Sequence, residues 1–486
     1  MKYFIITYGC QMNISDSERI AAILKLAKIM PAKNINEADL LIINSCSVRQ
    51  SAINRIYGQL INFRKINKSG KTILTGCLLE SDKKKLKDKF DLIIDIKELT
   101  SPKNDELKKL LKLLNPDASE QEFKAFDYTD YFRINPQYQS NFSAYIPIMT
   151  GCNNFCSYCA VPYTRGREIS RPAKEIIKEV KRLIGKGYKE ITLLGQNVNS
   201  YKSIENKKKP VTFPQLLKLI NAIPGNFWIR FLTSHPKDMS DELIRIMAKS
   251  KKICEYVHLP IQAGDDKILE KMNRRYTSVQ YLKLINKIKK TYQFRHYEEQ
   301  SDEAISKHKN STRDCFANAR NDKSSVWNPP IAISTDIIVG FPGETKAQFA
   351  NTAKIMRSVK YDMAYLAQYS PRTGTAAAKL KDNVPITEKK RRKEFLNDIL
   401  RKTALANNKK YVGKIVEVLI EKLDGGFAAG KTRTFKNVRI AILSLPRTPL
   451  GNFQGESLEG KLTVGQFAKI KITQASAWGL EGKFVE

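Results

Sequence analysis

Three cysteines stand at 152, 156 and 159 in the stretch GCNNFCSYC, a C-x3-C-x2-C spacing, in a chain with eight cysteines in all. Thiolates at short spacing are ligands for zinc and for iron–sulfur clusters. Four would describe a closed structural zinc site, whereas three leave one coordination position open for chemistry. A catalytic zinc and an iron–sulfur cubane with one iron unclaimed by protein both fit this spacing. Cys10, Cys46 and Cys77 share another pattern, each closing an apolar, strand-like run: YFIITYGC, DLLIINSC and KTILTGC. One such cysteine is an ordinary core residue; three at equivalent positions point to a site. Of the remaining two, Cys254 reads as core, and Cys315, in a polar stretch, as a poor ligand.

The 486 residues carry 84 Lys+Arg against 49 Asp+Glu, a formal net charge of +35. That balance favours a polyanionic partner, nucleic acid foremost, although runs such as DKKKLKDKF also serve as solvated helix faces. With 42% hydrophobic and 27% charged residues the chain is globular rather than disordered. No apolar run reaches the roughly 18 residues of a membrane-spanning helix, and the opening MKYFIITYGCQMN lacks a signal pattern. A cytoplasmic monomer without membrane association is expected. There thiols stay reduced, so clustered cysteines read as ligands rather than disulfides.

The elements that position these cysteines follow from hydrophobic spacing. In residues 1–115 the three cysteine-terminated runs alternate with the helical stretches SDSERIAAILKLAKI, capped at Ser15 or Asp16, and RQSAINRIYGQLINFRKI. Such alternation predicts an α/β domain with a parallel sheet, whose strands all end along one ligand-binding edge. Residues 116–142 read as a connector. From 143 to 403, SAYIPIM, EITLLGQN, WIRFLTSHP, YVHLPIQ, ISTDIIVGFP and AYLAQYSP alternate with helical stretches and predict a full or partial (β/α) barrel. Their ends carry the cysteine loop, Gly195-Gln196-Asn197, Ser234-His235, Gln262, Gly340 to Glu344, and Arg372. Residues 294–328 break the rhythm and read as an exposed, dispensable insertion in an αβ loop. Residues 404–486 alternate at period two, with 13 Lys+Arg against 7 Asp+Glu. This predicts a small basic antiparallel β-barrel, a form used to bind RNA and separable from the chemistry.

A C-x3-C-x2-C loop opening the first strand of a (β/α) barrel resembles the radical S-adenosylmethionine superfamily. The resemblance implies that Cys152, Cys156 and Cys159 hold a [4Fe–4S] cluster whose open iron chelates S-adenosylmethionine. One electron would then cleave the sulfonium to a 5′-deoxyadenosyl radical. Tyr158 matches the aromatic position near the adenine, and Gly195, Gln196, Asn197 and Gln262 are the expected cofactor-binding residues. Over nearly the whole chain, the order of three-cysteine α/β domain, radical barrel and TRAM-type β-barrel is similar to the methylthiotransferases. Within them YGCQMN, GCNNFCSYCAVPYTRGREISRP, LLGQNVNSY, TSHP, LPIQAG, DIIVGFPGET and YSPRTGT resemble the MiaB branch.

That resemblance implies methylthiolation of carbon 2 of N6-isopentenyladenosine beside the anticodon of tRNA. Cys10, Cys46 and Cys77 would hold a second [4Fe–4S] cluster, its open iron binding the sulfur to be transferred. Two molecules of S-adenosylmethionine would serve each product, one methylating that sulfur and one forming the radical. tRNA is the expected partner, with Arg165, Arg167, Lys431, Arg433 and Arg439 as candidate contacts; the resemblance names neither sulfur donor nor reductant. Sibling branches act on threonylcarbamoyladenosine in tRNA or on a ribosomal-protein side chain, and a zinc-dependent RNA-binding protein is the alternative outside the family. His235 sits where a base could act, but no general base is assigned. Ala263 stands where serine is usual, the 294–328 stretch has no family counterpart, and AILSLPRTPLGNFQGES departs from the usual TRAM pattern.

Overall fold

Strands β1 (Lys2–Tyr8), β2 (Leu40–Cys46) and β3 (Lys71–Cys77) pair in parallel, in that order, between two-residue strands at Met30–Pro31 and Leu92–Ile93. Helices α1 (Gln11–Leu26) and α2 (Gln50–Ile66) cover the two faces. Leu40, Ile42 and Ile73 pack with Ile20, Ile23 and Leu24 of α1; Leu41, Ile43 and Leu74 pack with Ile56, Leu60 and Phe63 of α2. A strand buried on both faces reads as an unbroken apolar run rather than an alternating one. This computed structural model describes residues 1–46, 50–96, 134–204, 209–308, 326–424, 426–441 and 462–485, with 109, 110, 112, 113 and 132. For 50–54 and 294–308 it describes the backbone alone. Cys315, most of the 116–142 connector and nearly all of AILSLPRTPLGNFQGES lie outside the described residues.

Helix α1 starts earlier than its apolar spacing suggests. Cys10 is its N-cap, not Ser15 or Asp16, and the Asn13 side chain accepts the Cys10 N–H at 3.3 Å. A polar residue at the third helical position relieves an unpaired amide just as a capping serine does. Ser15 and Asp16 are buried within the helix instead.

The six anticipated strands of the second domain all form: β4 (Ser143–Pro147), β5 (Glu190–Leu194), β6 (Trp228–Phe231), β7 (Tyr256–His258), β8 (Ala332–Val339) and β9 (Met363–Gln368). They make two parallel three-stranded sheets, β6-β5-β4 and β7-β8-β9. A parallel bridge from Ile229 to Ile253, on the segment leading into β7, links the halves. The barrel is therefore partial. Helices α3 (Ala173–Gly185), α4 (Phe213–Asn221), α5 (Asp241–Lys249), α6 (Ser278–His308), α7 (Lys346–Val359) and α8 (Ile386–Lys409) accompany the strands. Ile191, Leu193, Ile229, Ile333, Ile337 and Val339 belong to the large core shared with these helices. The alternate positions, Thr192, Arg230, His258, Ser334, Asp336 and Tyr365, line the inside.

Two expectations need correction. Helix α6 runs unbroken to His308, so residues 294–308 extend a helix rather than form a loop. At the far end of the same stretch Trp327 donates its N–H to the Ile415 carbonyl at 2.7 Å and sets its ring against Tyr411. The end of the stretch is thus packed on the carboxy-terminal domain. Helix α8 likewise passes through position 404 to Lys409, and the carboxy-terminal strands begin only at Ile415.

Those strands, β10 (Ile415–Asp424), β11 (Phe427–Thr432), β12 (Asn437–Ala441), β13 (Phe467–Ala475) and β14 (Leu480–Phe484), close a barrel in the order β10-β11-β12-β14-β13. One pairing, β12 with β14, is parallel. This barrel is seated on the radical domain, not hung beside it. Its turn Thr432–Lys436 enters at the amino ends of the radical-domain strands. Arg230 donates to the carbonyls of Thr432 and Arg433, both at 2.8 Å, while pairing with Glu190 at 2.5 Å. Arg433 grips Glu255 through two bonds of 2.7 and 3.0 Å, Phe435 stacks on Tyr256, and Lys436 reaches Asp362 at 2.7 Å. Removing residues 404–486 would leave Arg230, Glu255 and Asp362 without these partners.

Arg230→Ala is expected to destabilise the full chain by about 3–5 kcal/mol, because Glu190 and two carbonyls lose their donor in a dry site. Chemical denaturation followed by circular dichroism checks this through a lowered midpoint.

Candidate active site

The parallel edge delivers the first three thiols. Cys46 and Cys77 are register partners at the ends of β2 and β3 and are hydrogen bonded through sulfur. Cys10, just past β1, is near enough to Cys77 for their charges to interact. Each neighbour discourages ionisation of the next. Cys77 is raised well above the usual thiol value, first by its bond to Cys46 and then by burial. Cys10 keeps an exposed surface, yet protein packed around its sulfur raises it too, with Cys77 adding to the effect. Three mutually repelling thiolates need a cation, or a cluster, to be held together.

The second set occupies the loop after Thr150. Cys159 is pushed up to about 12, chiefly by burial and then by Cys156. Cys152 is raised by burial, with Asn154 Nδ2 3.5 Å from its sulfur. Arg274 Nη1 donates to Cys156 Sγ at 3.3 Å, while its other nitrogens hold the Pro260 carbonyl and the Tyr276 hydroxyl. Tyr158 lies among Arg274, Cys156, Cys159 and Tyr276, half-buried against the barrel core. Among the described residues no three His, Cys, Asp or Glu side chains already stand in closed metal-binding geometry. The backbone gathers the thiols of each set into one neighbourhood.

Glycine makes both gatherings possible. Gly151 has φ +75° and a Cβ there would lie 2.0 Å from the Arg167 carbonyl; Gly76 has φ +116° and its Cβ would meet the Ser45 carbonyl at 2.1 Å. Each precedes a cysteine. No side chain can occupy either position without moving the thiol.

The strand ends carry polar groups with work left to do. Gln196 Oε1, Asn197 Oδ1, Asn199 Oδ1 and Ser234 Oγ are buried without hydrogen-bond partners. Native interiors rarely leave such atoms unpaired, and their grouping after β5 and β6 suits a polar cosubstrate. Asn197 is oriented by its amide bond to Asp238 at 2.7 Å. Gly195 leaves room for the Met149 side chain, whose Cγ would be 2.5 Å from a Cβ. Gln262 sits at φ +73° and joins β8 through the bonds Gln262 N to Asp336 O and Ile338 N to Gln262 O. Ala263 is wholly buried in the core. His235 accepts the Lys237 N–H at 3.3 Å and is lowered to about 2 by burial, with Arg274 and Lys237 adding to the effect. It is neutral at physiological pH, with Nδ1 committed as an acceptor. Glu344 is a brace, holding the Gly340 N–H at 2.7 Å and Arg392 at 2.6 Å.

Of the five candidate RNA contacts, two are misplaced as such. Arg165 is buried between domains on Cys77 and Asp16, and Arg433, partly buried, is locked onto Glu255 in the seat of the small barrel. Their guanidiniums satisfy partners inside the protein. Lys431 pairs with Glu421 at 2.8 Å. Arg167 and Arg439 remain exposed, each stacked 4.4 Å from the ring centroid of Phe155 or Phe427. Arg274 and Tyr276 escaped the sequence reading, since NRRY carries no ligand spacing and they meet the cysteine loop only through the fold.

Six parallel strands in a partial barrel thus carry three thiols and unpaired polar groups at their carboxyl ends. Residues 146–295 match the Radical SAM superfamily model, 2–96 match Uncharacterized protein family UPF0004, and 409–485 match the TRAM domain. A tRNA-2-methylthio-N(6)-dimethylallyladenosine synthase from Thermoanaerobacter sp. (strain X514) is 39% identical over 100% of this chain and 93% of its own. One of the same name from Carboxydothermus hydrogenoformans is 38% identical over 99% of each. The chain belongs to the tRNA-2-methylthio-N(6)-dimethylallyladenosine synthase family. Among solved structures, a radical S-adenosylmethionine methyltransferase from Kitasatospora setae aligns at TM-score 0.44 and 11% identity over 75% of this chain and 72% of that one.

Gly151→Ala should lower iron bound by the loop set, and Gly76→Ala iron bound by the amino-terminal set, each leaving the other set loaded. Iron per chain, measured on each variant combined with alanine at the other three cysteines, reads the two sites separately.

Proposed function

We propose that this protein adds a methylthio group to carbon 2 of N6-dimethylallyladenosine in tRNA, using S-adenosylmethionine and a [4Fe–4S] cluster on each cysteine set. Full-length identity to synthases of that activity, with two separate three-thiol sets at parallel strand ends, carries the reading. The clusters, when bound, supply the electron that turns S-adenosylmethionine into a hydrogen-abstracting radical and the coordination site for the sulfur to be transferred. Carbon 2 of adenine has no acidic proton, so a base is not what the site needs.

The chain's own residues then have positional work. Arg274 holds Cys156 and, through Pro260, the strand beside it. Gln196, Asn197, Asn199 and Ser234 offer acceptors to the amino, ribose and base groups of the cosubstrate. Phe435 and Arg433 block the amino end of the barrel, keeping bulk water from below. The exposed Arg167 and Arg439, with the basic small barrel, face the tRNA backbone, and binding is expected to weaken log-linearly with salt. Among the described residues no helix is long and apolar enough to cross a membrane, and a tRNA substrate calls for work in the cytoplasm. Reductant and sulfur come from outside the chain.

Nucleoside mass spectrometry tests the reading, on tRNA from a host lacking its own enzyme and complemented with this chain. The methylthio group should appear on N6-dimethylallyladenosine; its appearance only on threonylcarbamoyladenosine would overturn the assignment. Replacing Cys10, Cys46 and Cys77 together by alanine should leave about four irons instead of about eight. That variant should still cleave S-adenosylmethionine under strong reductant yet transfer no sulfur.

A further inference from the structure

Arg165 sits six residues beyond Cys159, at the end of the short helix Val161–Thr164 that follows the cysteine loop. Its side chain turns away from that loop and crosses into the other domain. There Nε donates to Cys77 Sγ at 3.0 Å and Nη2 to Asp16 Oδ2 at 2.5 Å, both bonds buried. Asp16 belongs to α1, the helix whose N-cap is Cys10. One guanidinium therefore touches the strand that ends in one thiol and the helix that begins at another. We propose that Arg165 is a positioning residue for sulfur transfer, completing the amino-terminal thiol site from the radical domain and fixing its distance to the cysteine loop.

Four observations support this. Each bond runs from a cation to a sulfur or carboxylate acceptor, the stronger class of hydrogen bond. Nε and Nη2 reach acceptors on two different elements, a two-point grip that a planar fork holds in fixed geometry and a single ammonium does not reproduce. Arg372, from the loop after β9, is also close enough to Cys46 and Asp82 for their charges to act on it, so the radical domain surrounds the anionic site with cations. The same helix α1 is tied to the radical domain through Ser15 Oγ, which donates to the Tyr145 carbonyl at 3.5 Å, and to the end of the connector through Gln137 N to Glu18 O at 2.9 Å and Gln139 N to Glu18 Oε1 at 3.1 Å. Radical chemistry makes the spacing matter, because a carbon radical must be quenched by the sulfur donor before it reacts otherwise, and a small misplacement is costly.

This inference rests on the assignment of Cys10, Cys46 and Cys77 to a cluster, and the test separates the two. Full-length Arg165→Lys and Arg165→Ala, reconstituted with iron and sulfide, are assayed for methylthiolated tRNA formed per 5′-deoxyadenosine released. The ratio should fall at least about tenfold in both. In a second readout, electron paramagnetic resonance of the reduced amino-terminal cluster, in protein carrying alanine at 152, 156 and 159, should shift when Arg165 is replaced. A purely structural role would lower yield and melting temperature but leave ratio and spectrum unchanged, which would overturn the proposal. Should the alanine variant not fold, Arg165→Lys carries both readouts. The Cys10, Cys46 and Cys77 triple variant runs in parallel. If it transfers sulfur at the parental rate the cluster assignment fails, whereas if it is inactive and Arg165 variants behave as parent, only the positioning role fails.

Discussion

A parallel strand must finish on the same edge as its neighbour, and every group with chemistry in this chain depends on that. Register pairs Cys46 with Cys77 directly, and the right-handed crossover through α1 brings Cys10 alongside. In the radical domain the same rule places Asn197, Ser234 and Gln262 after successive strands. The amino-terminal thiol set could not form from local sequence alone. Cys10 and Cys77 are 67 positions apart, yet the sheet makes them neighbours. The edge comes at a cost the sequence meets with glycine, since Gly76 and Gly151 each let the chain turn where a side chain would strike a carbonyl.

Four cations stand at the seams between domains, each paired with a carboxylate. Arg165 faces the amino-terminal sheet, and Arg230, Arg433 and Lys436 join the small barrel to the radical domain. A buried ion pair adds little net stability compared with an apolar contact of the same shape, but it tolerates no partial mating. Seams built this way have a defined geometry. Two of the five candidate nucleic-acid contacts, Arg165 and Arg433, are thus committed to partners within the protein.

The main strands of the first two domains were legible because they rest on hydrophobic spacing, and the six clustered cysteines stood out as thiols at strand ends or at short spacing. What escaped was set by tertiary contact. Cys10 caps α1 because Asn13 folds back on it, a signal weaker than the Ser15 and Asp16 that compete for the same reading. Residues 294–308 lack an apolar stripe and still continue a helix, since the preceding turns supply its nucleus and propagation is cheaper than initiation. Arg274 looked like any surface arginine until Cys156, 118 positions earlier, was found beside it.

The seat of the small barrel has a bearing on how the protein is made. Arg230 waits for carbonyl partners 202 and 203 positions further along the chain. A ribosome emits the radical domain long before those residues appear, so that domain first meets solvent with its floor missing and its arginine unsheltered. Domains that emerge first ordinarily fold first. Here the middle domain reaches its final packing only when the last one arrives, and the polypeptide's own synthesis sets the moment at which the barrel shuts.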